Sequence, residues 1–536
     1  MKFVKHIIPI VLLSVVGQGC QDFLEKEPLG VETDKTFYND PVNAVLSVNA
    51  IYDAISWDAG GILNGGNNFE WMYGDILSDD AAKGSTPGDY LELRQMERWE
   101  TLSNAPIPQA TWNNMFAAIY RANQVIQYLP TSSISEDLKN RLLGEAYFLR
   151  GYSYHNLVIK FGGVPLFEEP VQNSAWGQVS RASIAETHAF IEADFKRAID
   201  MLPERNGYAT DDLGRATKGA ARAFLARDYM FEIGTDNTNG KTWQEVYDLT
   251  NAIIASNQYR LDPNYARLFE PEGENGPESI FEIQFFDNNV GWGPAKAGTT
   301  NSVIQGNRST WGWGFNNPTQ NLVNEFEAND PRLPVTVYKD GDIVVGEKQA
   351  INGGENETGY LNRKAFVDPA TRPSETQNSP KNIILFRYAD VLLMQAEAAA
   401  HLGNAAEAVN LVNQVRQRAR TSTKPKGSTA VGATDYQPYE NTAGVLPDLS
   451  PSLAGQELLN AIYHERRVEL GMESRRFYDL VRTGRYFDAL LKKDPSGVSR
   501  TNAERHSIQG SENLIPVITI PLNESQSWGL AQNPGY

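Results

Sequence analysis

Residues 389–419 read ADVLLMQAEAAAHLGNAAEAVNLVNQVRQRA. Apolar and small residues recur in this run at steps of three and four, the period of an amphipathic helix and not of a strand. The pattern breaks once, at Leu402-Gly403, where glycine predicts a left-handed helix end. Two helices joined by so short a turn must run antiparallel and touch. Ala398 and Ala408 are small where that contact falls, as in a tetratricopeptide-like hairpin. A chain built from such hairpins is mostly α-helical.

The same period predicts helices over 41–55, 111–129, 138–161, 183–202, 215–233, 242–256, 386–402, 404–419 and 454–483. In the first, Val42, Val45, Val48 and Ile51 are spaced by three. The third contains GEAYFLRGYSYHNL, where Gly144, Ala146 and Gly151 suit a close helix contact. The repeat length is irregular, so the expectation is an array of helical hairpins with large insertions rather than a regular solenoid. The insertions, 57–105, 258–385 and 421–452, are rich in Gly, Asn, Asp, Pro and aromatics. Short β-like runs lie at 279–286 and 335–345. Long irregular insertions in a compact domain usually carry function.

The N-terminus reads as an export signal. Lys2 and Lys5 precede an apolar run over 7–16, then small residues, then Cys20. That run is far short of the roughly 20 residues a membrane-spanning helix needs. Cys20 is the only cysteine, so no internal disulfide can form. Its position after the signal points to cleavage before it and acylation, giving a signal peptide at 1–19 and a lipidated N-terminus and tether at 20–36. Gly19 fits the cleavage position, whereas Gly17 departs from the Leu-like residue usual three places before the cysteine. Ordinary cleavage nearby, with Cys20 incidental, is the alternative. A formal net charge of −18 argues against a nucleic-acid partner.

No catalytic signature emerges. GTDNTNGKT (234–242) has one residue too many for a phosphate loop and follows a helix. HExxH and GxSxG are missing, the six histidines are scattered, and one cysteine excludes a thiolate metal site. No catalytic residue, metal or cofactor is therefore expected. Asp79-Asp80 is the obvious carboxylate pair, but neighbouring side chains diverge and cannot easily straddle one bond. A glycan hydrolase with acids from two insertions remains the alternative. The insertions do hold aromatics beside polar planar groups: Trp71, Tyr73, Asp79 and Asp80 in the first, Trp292, Trp311 and Trp313 in the second. Indole and phenol faces cover the C–H patches of sugars, and Asp, Asn and Arg satisfy the hydroxyls. These seven residues are the candidate ligand contacts, the alternative being that the rings plug the insertions into the core.

Several segments, in order, resemble the SusD/RagB family of outer-membrane nutrient-binding lipoproteins: CQDFLEKEP, GEAYFLRGYSYHNLVIKFGGVPL, RATKGAARAFLARDYMF, NNPTQNLVNEFEANDPRLP, NIILFRYADVLLMQAEA, ERRVELGMESRRFYDLVRTGR and LIPVITIPLNESQSWGLAQNPGY. The resemblance implies a SusD-like fold of tetratricopeptide-like hairpins, long irregular insertions and a few short strands. It implies one such domain over 37–536, with halves of about 37–257 and 258–536. It also implies a surface lipoprotein, held in outer-membrane lipid through Cys20, that binds an oligosaccharide or sometimes a peptide and partners a SusC-like TonB-dependent barrel transporter. A helical scaffold whose only ligand is that barrel is a further alternative. Family ligands contact variable loops, so no site motif carries over. Arg387, Glu465, Arg466, Glu469, Arg475, Arg476 and Asp479 lie in the shared segments and are expected to pair between helices rather than touch ligand.

Overall fold

The computed structural model describes residues 34–57, 69–171, 179–236, 238–290, 297–373, 378–491 and 516–536. Cys20 and Trp292 lie outside these residues. Helices dominate: α1 (Pro41–Ser56), α2 (Pro106–Tyr128), α3 (Glu136–Phe161), α4 (Ile184–Met201), α5 (Lys218–Gly234), α6 (Trp243–Ala255), α7 (Tyr388–His401), α8 (Ala405–Thr421), α9 (Gly455–Leu470) and α10 (Arg476–Arg482). Consecutive helices pack as α3 on α4, α4 on α5, α5 on α6 and α7 on α8, and α7 also packs on α6. No described helix is long and apolar enough to cross a membrane.

Local chemistry sets the helix ends. Ser183 and Glu186 form a capping box at the start of α4, and Thr242 and Glu245 form one at the start of α6, each satisfying amide groups the helix cannot. Gly403 closes the α7–α8 turn at φ +80°. Glycines thin the α3–α4 contact, where a Cβ on Gly151 would sit 3.1 Å from the Phe195 ring. On α1 the three-residue spacing drifts off the core face. Ala44, Val48, Ile51 and Ile55 are buried, while Val42 is 64% exposed.

The run expected as one helix over 454–483 is two. The chain leaves α9 at Gly471, passes Met472 and Ser474 in left-handed geometry, and restarts at Arg476. The Ser474 amide donates to Asp75 Oδ1 at 2.9 Å, a contact from the far end of the sequence. The strands are short and come in two-stranded sheets: β1 (Ala81–Gly84) with β3 (Phe315–Pro318), β2 (Ser279–Ile283) with β6 (Ile383–Arg387), and β4 (Val337–Lys339) with β5 (Tyr360–Asn362). The β-like run at 335–345 opens instead as a helical turn, Leu333–Thr336, before β4.

A lattice of buried ion pairs ties the helices to the insertions. Arg387, at the end of β6, reaches Glu278 and Glu473 at 2.8 Å and also bonds Glu469. Arg466 joins Asp390 at 2.7 Å and Asp479 at 3.2 Å, and Arg482 meets Asp479 at 2.7 Å. Burial would push the Glu469 carboxyl up, but Arg418, Arg387 and Arg332 hold it far below the usual carboxylate range. Arg475 differs from the expectation, donating to the Leu385 carbonyl at 3.0 Å.

Candidate functional site

The β1–β3 ladder brings two insertions together. Ala81 pairs with Pro318, Ala82 with Asn317 and Gly84 with Phe315. Gly84 is required there: its φ is +77°, and a Cβ would lie 2.5 Å from the Gly314 carbonyl oxygen. Just beyond the ladder, the first insertion presents Asp89 and Tyr90, and the second presents Arg308, Trp313 and Phe315. These residues line one open surface shelf together with Ile304 and Gly312.

Backbone and charge hold the shelf in shape. Gly306 and Gly312 approach so closely that a Cβ on Gly312 would meet Gly306 at 2.1 Å. The glycines thus close the tryptophan loop on itself, and the Trp313 amide donates to the Val303 carbonyl at 2.9 Å. Tyr90 sits at φ 49°, unusual for a bulky side chain, and meets the Phe315 ring edge-on at 5.9 Å. Beneath it, the buried Lys83 ammonium donates to the carbonyls of Gly84 (2.6 Å), Thr86 (2.9 Å) and Asp89 (3.0 Å), using all three protons on one loop. Burial, with Arg94 nearby, pushes Lys83 down to about 8. At the rim, Arg308 pairs with Asp89 and lies 3.7 Å from Glu355. The Ser85 hydroxyl donates to Asp89 at 2.8 Å and holds its carboxyl below the ordinary value, despite an opposing contribution from burial. The shelf therefore brings together half-buried Tyr90 and Trp313 and buried Phe315 beside a solvent-exposed cation–carboxylate pair.

The sequence-expected residues divide. Trp313 lies on the shelf. Trp311 is half-buried, with the Arg372 guanidinium 5.5 Å above its ring. Trp71 is buried, stacks on Phe69 at 5.8 Å, and lines a different cleft with Trp57, Tyr152 and Asn156, where its indole N–H lacks a partner. Tyr73 is interior, its hydroxyl 2.6 Å from Thr111 Oγ1. Asp79 and Asp80 are scaffold, which corrects their reading as ligand contacts. Asp79 pairs with Arg476 at 2.7 Å and Asp80 with Arg467 at 2.9 Å, and both are nearly inaccessible. Sequence reasoning missed Tyr90, Asp89 and Arg308. Arg308 was within reach, three residues before Trp311 in GNRSTWGWGF. Tyr90 carried only the weak signal of an aromatic after the turn residues Pro87-Gly88-Asp89.

Comparison with known proteins covers nearly the whole chain. Residues 277–536 match the sequence model described as "SusD family", and residues 22–230 match one described as "Starch-binding associating with outer membrane". SusD-like protein P2 of Formosa agariphila is 26% identical, over the full length of both chains. A solved structure titled "Laminarin binding SusD-like protein" is 26% identical, with a TM-score of 0.72 over 92% of this chain and 99% of its own. Surface glycan-binding protein A from Bacteroides thetaiotaomicron, in complex with laminarihexaose, has the same fold at 21% identity: its TM-score is 0.72 over 92% of this chain and 99% of its own.

Proposed function

Because the chain belongs to the SusD family, we propose that it is a cell-surface lipoprotein that binds a glycan on the Tyr90–Trp313 shelf and delivers it to a SusC-like TonB-dependent transporter. The observation that carries this reading is the shelf itself. Aromatic side chains from two insertions line it beside an Arg308–Asp89 pair, on a loop clamped by the buried Lys83 ammonium, so less of the ordering cost remains when a sugar binds. The relative named for laminarin supports an oligosaccharide over the alternative peptide ligand. The family description "associating with outer membrane" supports the location, with acylated Cys20 as the anchor in outer-membrane lipid. Trp311, on the same loop but outside the shelf lining, is a further candidate. Trp71 and Trp292 remain secondary candidates, Trp71 in its own cleft.

Binding without turnover is part of the proposal. Asp89 and Glu355 come from the two insertions and share Arg308, the arrangement closest to a split carboxylate pair on the shelf. A general acid needs a raised pKa, whereas Asp89 is held low. Calorimetric titration with a panel that includes laminarihexaose tests the reading. Wild type should bind at least one glycan, and Tyr90→Ala and Trp313→Ala should each weaken it about tenfold, ~1.4 kcal/mol. Unchanged affinity in both variants would move the site elsewhere, and shortened sugars in the mixture would favour the hydrolase.

A further inference from the structure

The third insertion (421–452) packs against the β4–β5 sheet and forms a second pocket with it. Backbone contacts fix the insertion in place. The Gly346 amide donates to the Gly427 carbonyl at 2.8 Å, and the Gly432 amide donates to the Gly346 carbonyl at 2.8 Å. Gly427 has φ +57°, and a Cβ there would lie 2.3 Å from the Ala433 carbonyl oxygen, so glycine is required for this approach. The pocket measures about 440 Å³, a volume that suits a small ligand. It shares no lining residue with the shelf.

Two tyrosines line it, and they are not equivalent. Both rings are half-buried beside apolar side chains such as Leu333, Val337 and Ile343. The Tyr360 hydroxyl donates to Gln320 Oε1 at 2.9 Å. The Tyr439 hydroxyl is buried with no hydrogen-bond partner. Native proteins satisfy nearly all such atoms, so this one points to a ligand that completes it. Burial, with the Asp330 charge, pushes the Tyr439 phenol up to about 12, and near neutral pH it keeps its proton to donate.

Charge narrows what that ligand is. The chain carries a formal net charge of −18, yet the pocket lining holds Lys339, Arg363 and Lys424 against Asp342 alone. These cations are weakly matched within the protein. Lys339 is exposed and pairs with no carboxylate among the described residues. Lys424 reaches Glu440 only at 4.0 Å. Arg363 is buried, its nearest acid is Glu270 at 3.4 Å, and its other bond goes to the Lys426 carbonyl at 3.0 Å. A buried guanidinium with one long pairing is open to a second acid, and a carboxylate is the group its fork of donors fits. Tyrosine rings cover the C–H face of a pyranose. We propose that this pocket is a second saccharide site that takes an acidic sugar, a uronate. Its carboxylate meets Arg363 and the Tyr439 hydroxyl, its ring lies against tyrosine, and Lys339 and Lys424 draw it in. The sugar half of this inference rests on the glycan reading above; the anionic half rests on the pocket.

The test titrates the whole mature protein with digalacturonate, diglucuronate and dimannuronate, kept apart from the sugars used for the shelf, each beside its neutral disaccharide. At least one uronate should bind more tightly than its neutral counterpart, and its affinity should fall as salt rises. Tyr439→Phe removes only the hydroxyl and should weaken that binding about tenfold. Lys339→Gln/Lys424→Gln, at the exposed rim, should flatten the salt dependence. Tyr90→Ala/Trp313→Ala should leave uronate binding unchanged, which separates this pocket from the shelf. A wild type that binds a uronate and no neutral glycan would sink the shelf and leave the pocket standing. No uronate bound, equal affinity for acidic and neutral sugars, or loss of uronate binding in the shelf variant overturns the pocket. So does unchanged binding in both the Tyr439 and the lysine variants. If Tyr439→Phe fails to fold, the lysine variant decides.

Discussion

At the scale of single residues, the account turns on what each charge is already holding. Asp79 and Asp80 looked like ligand contacts because acids near tryptophans suit sugar hydroxyls. The sequence could not show that Arg467 and Arg476, from the other end of the chain, fold back onto them. Arg476→Ala should remove one of the two guanidinium partners of the buried Asp79 carboxylate, leaving Arg467 at 3.2 Å, and cost about 1–3 kcal/mol, read by urea denaturation. Lys83 is the corresponding residue of the shelf. Lys83→Met strands carbonyls that its ammonium satisfies, so stability should fall by about 1–3 kcal/mol. Glycan affinity should fall with it, because the loop that carries Tyr90 loses its clamp.

His464 and Glu325 make a pH-dependent pair at 2.9 Å. Burial alone would raise Glu325, but the hydrogen bond from His464 and the charge of Arg467 hold it at about 2. Its contribution is present above the ordinary carboxylate value and fades as pH falls toward 2. The Glu325 hydrogen bond raises His464 above its ordinary value, outweighing burial, so its contribution is full below about 6.5 and fades as pH rises through the folded value. The stability difference between wild type and His464→Gln should therefore peak between about pH 4.5 and 6.5 and shrink on both sides. Melting temperatures of the two proteins from about pH 2 to pH 9 test this, and a difference that stays flat over that whole span would contradict it.

Elements were legible wherever their causes were local. The hairpin of α7 and α8, the turn at Gly403 and the starts of α4 and α6 follow from periodicity, glycine and caps that lie within a few residues of one another. Thr242→Ala should therefore cost about 1 kcal/mol, measured as a shift in the denaturation midpoint. What failed had distant causes. The break between α9 and α10 sits where Gly74 packs so tightly that a Cβ would lie 2.1 Å from the Ser474 carbonyl oxygen, and no window of sequence around 471–475 contains that contact. The shelf was half legible for the same reason. The tryptophan loop announces itself in sequence, whereas its partner Tyr90 arrives only through the register of β1 on β3. Ion pairs between helices were readable as a class, from charged residues at helical spacing, but the reach of Arg387, Arg467 and Arg476 to acids of the insertions was not.

On the scale of the whole molecule, the hairpin array is a rigid support and the insertions are what it displays. The ion-pair lattice joins the two, so the shelf rests on helices rather than on a free loop. A lipid anchor would set this body at a membrane surface: Cys20→Ala should shift the protein from the membrane fraction to the soluble fraction, and metabolic labelling with palmitate should be lost. The central claim, that the shelf is a non-catalytic glycan site, is tested most directly by one titration. Wild type and the Tyr90→Ala/Trp313→Ala double variant, matched for melting temperature, are titrated with laminarihexaose and the other oligosaccharides of the panel, and the mixtures are analysed for products. The account predicts saturable binding by wild type, no cleavage, and loss of binding in the double variant. Equal binding by both proteins, or products released by either, would contradict it.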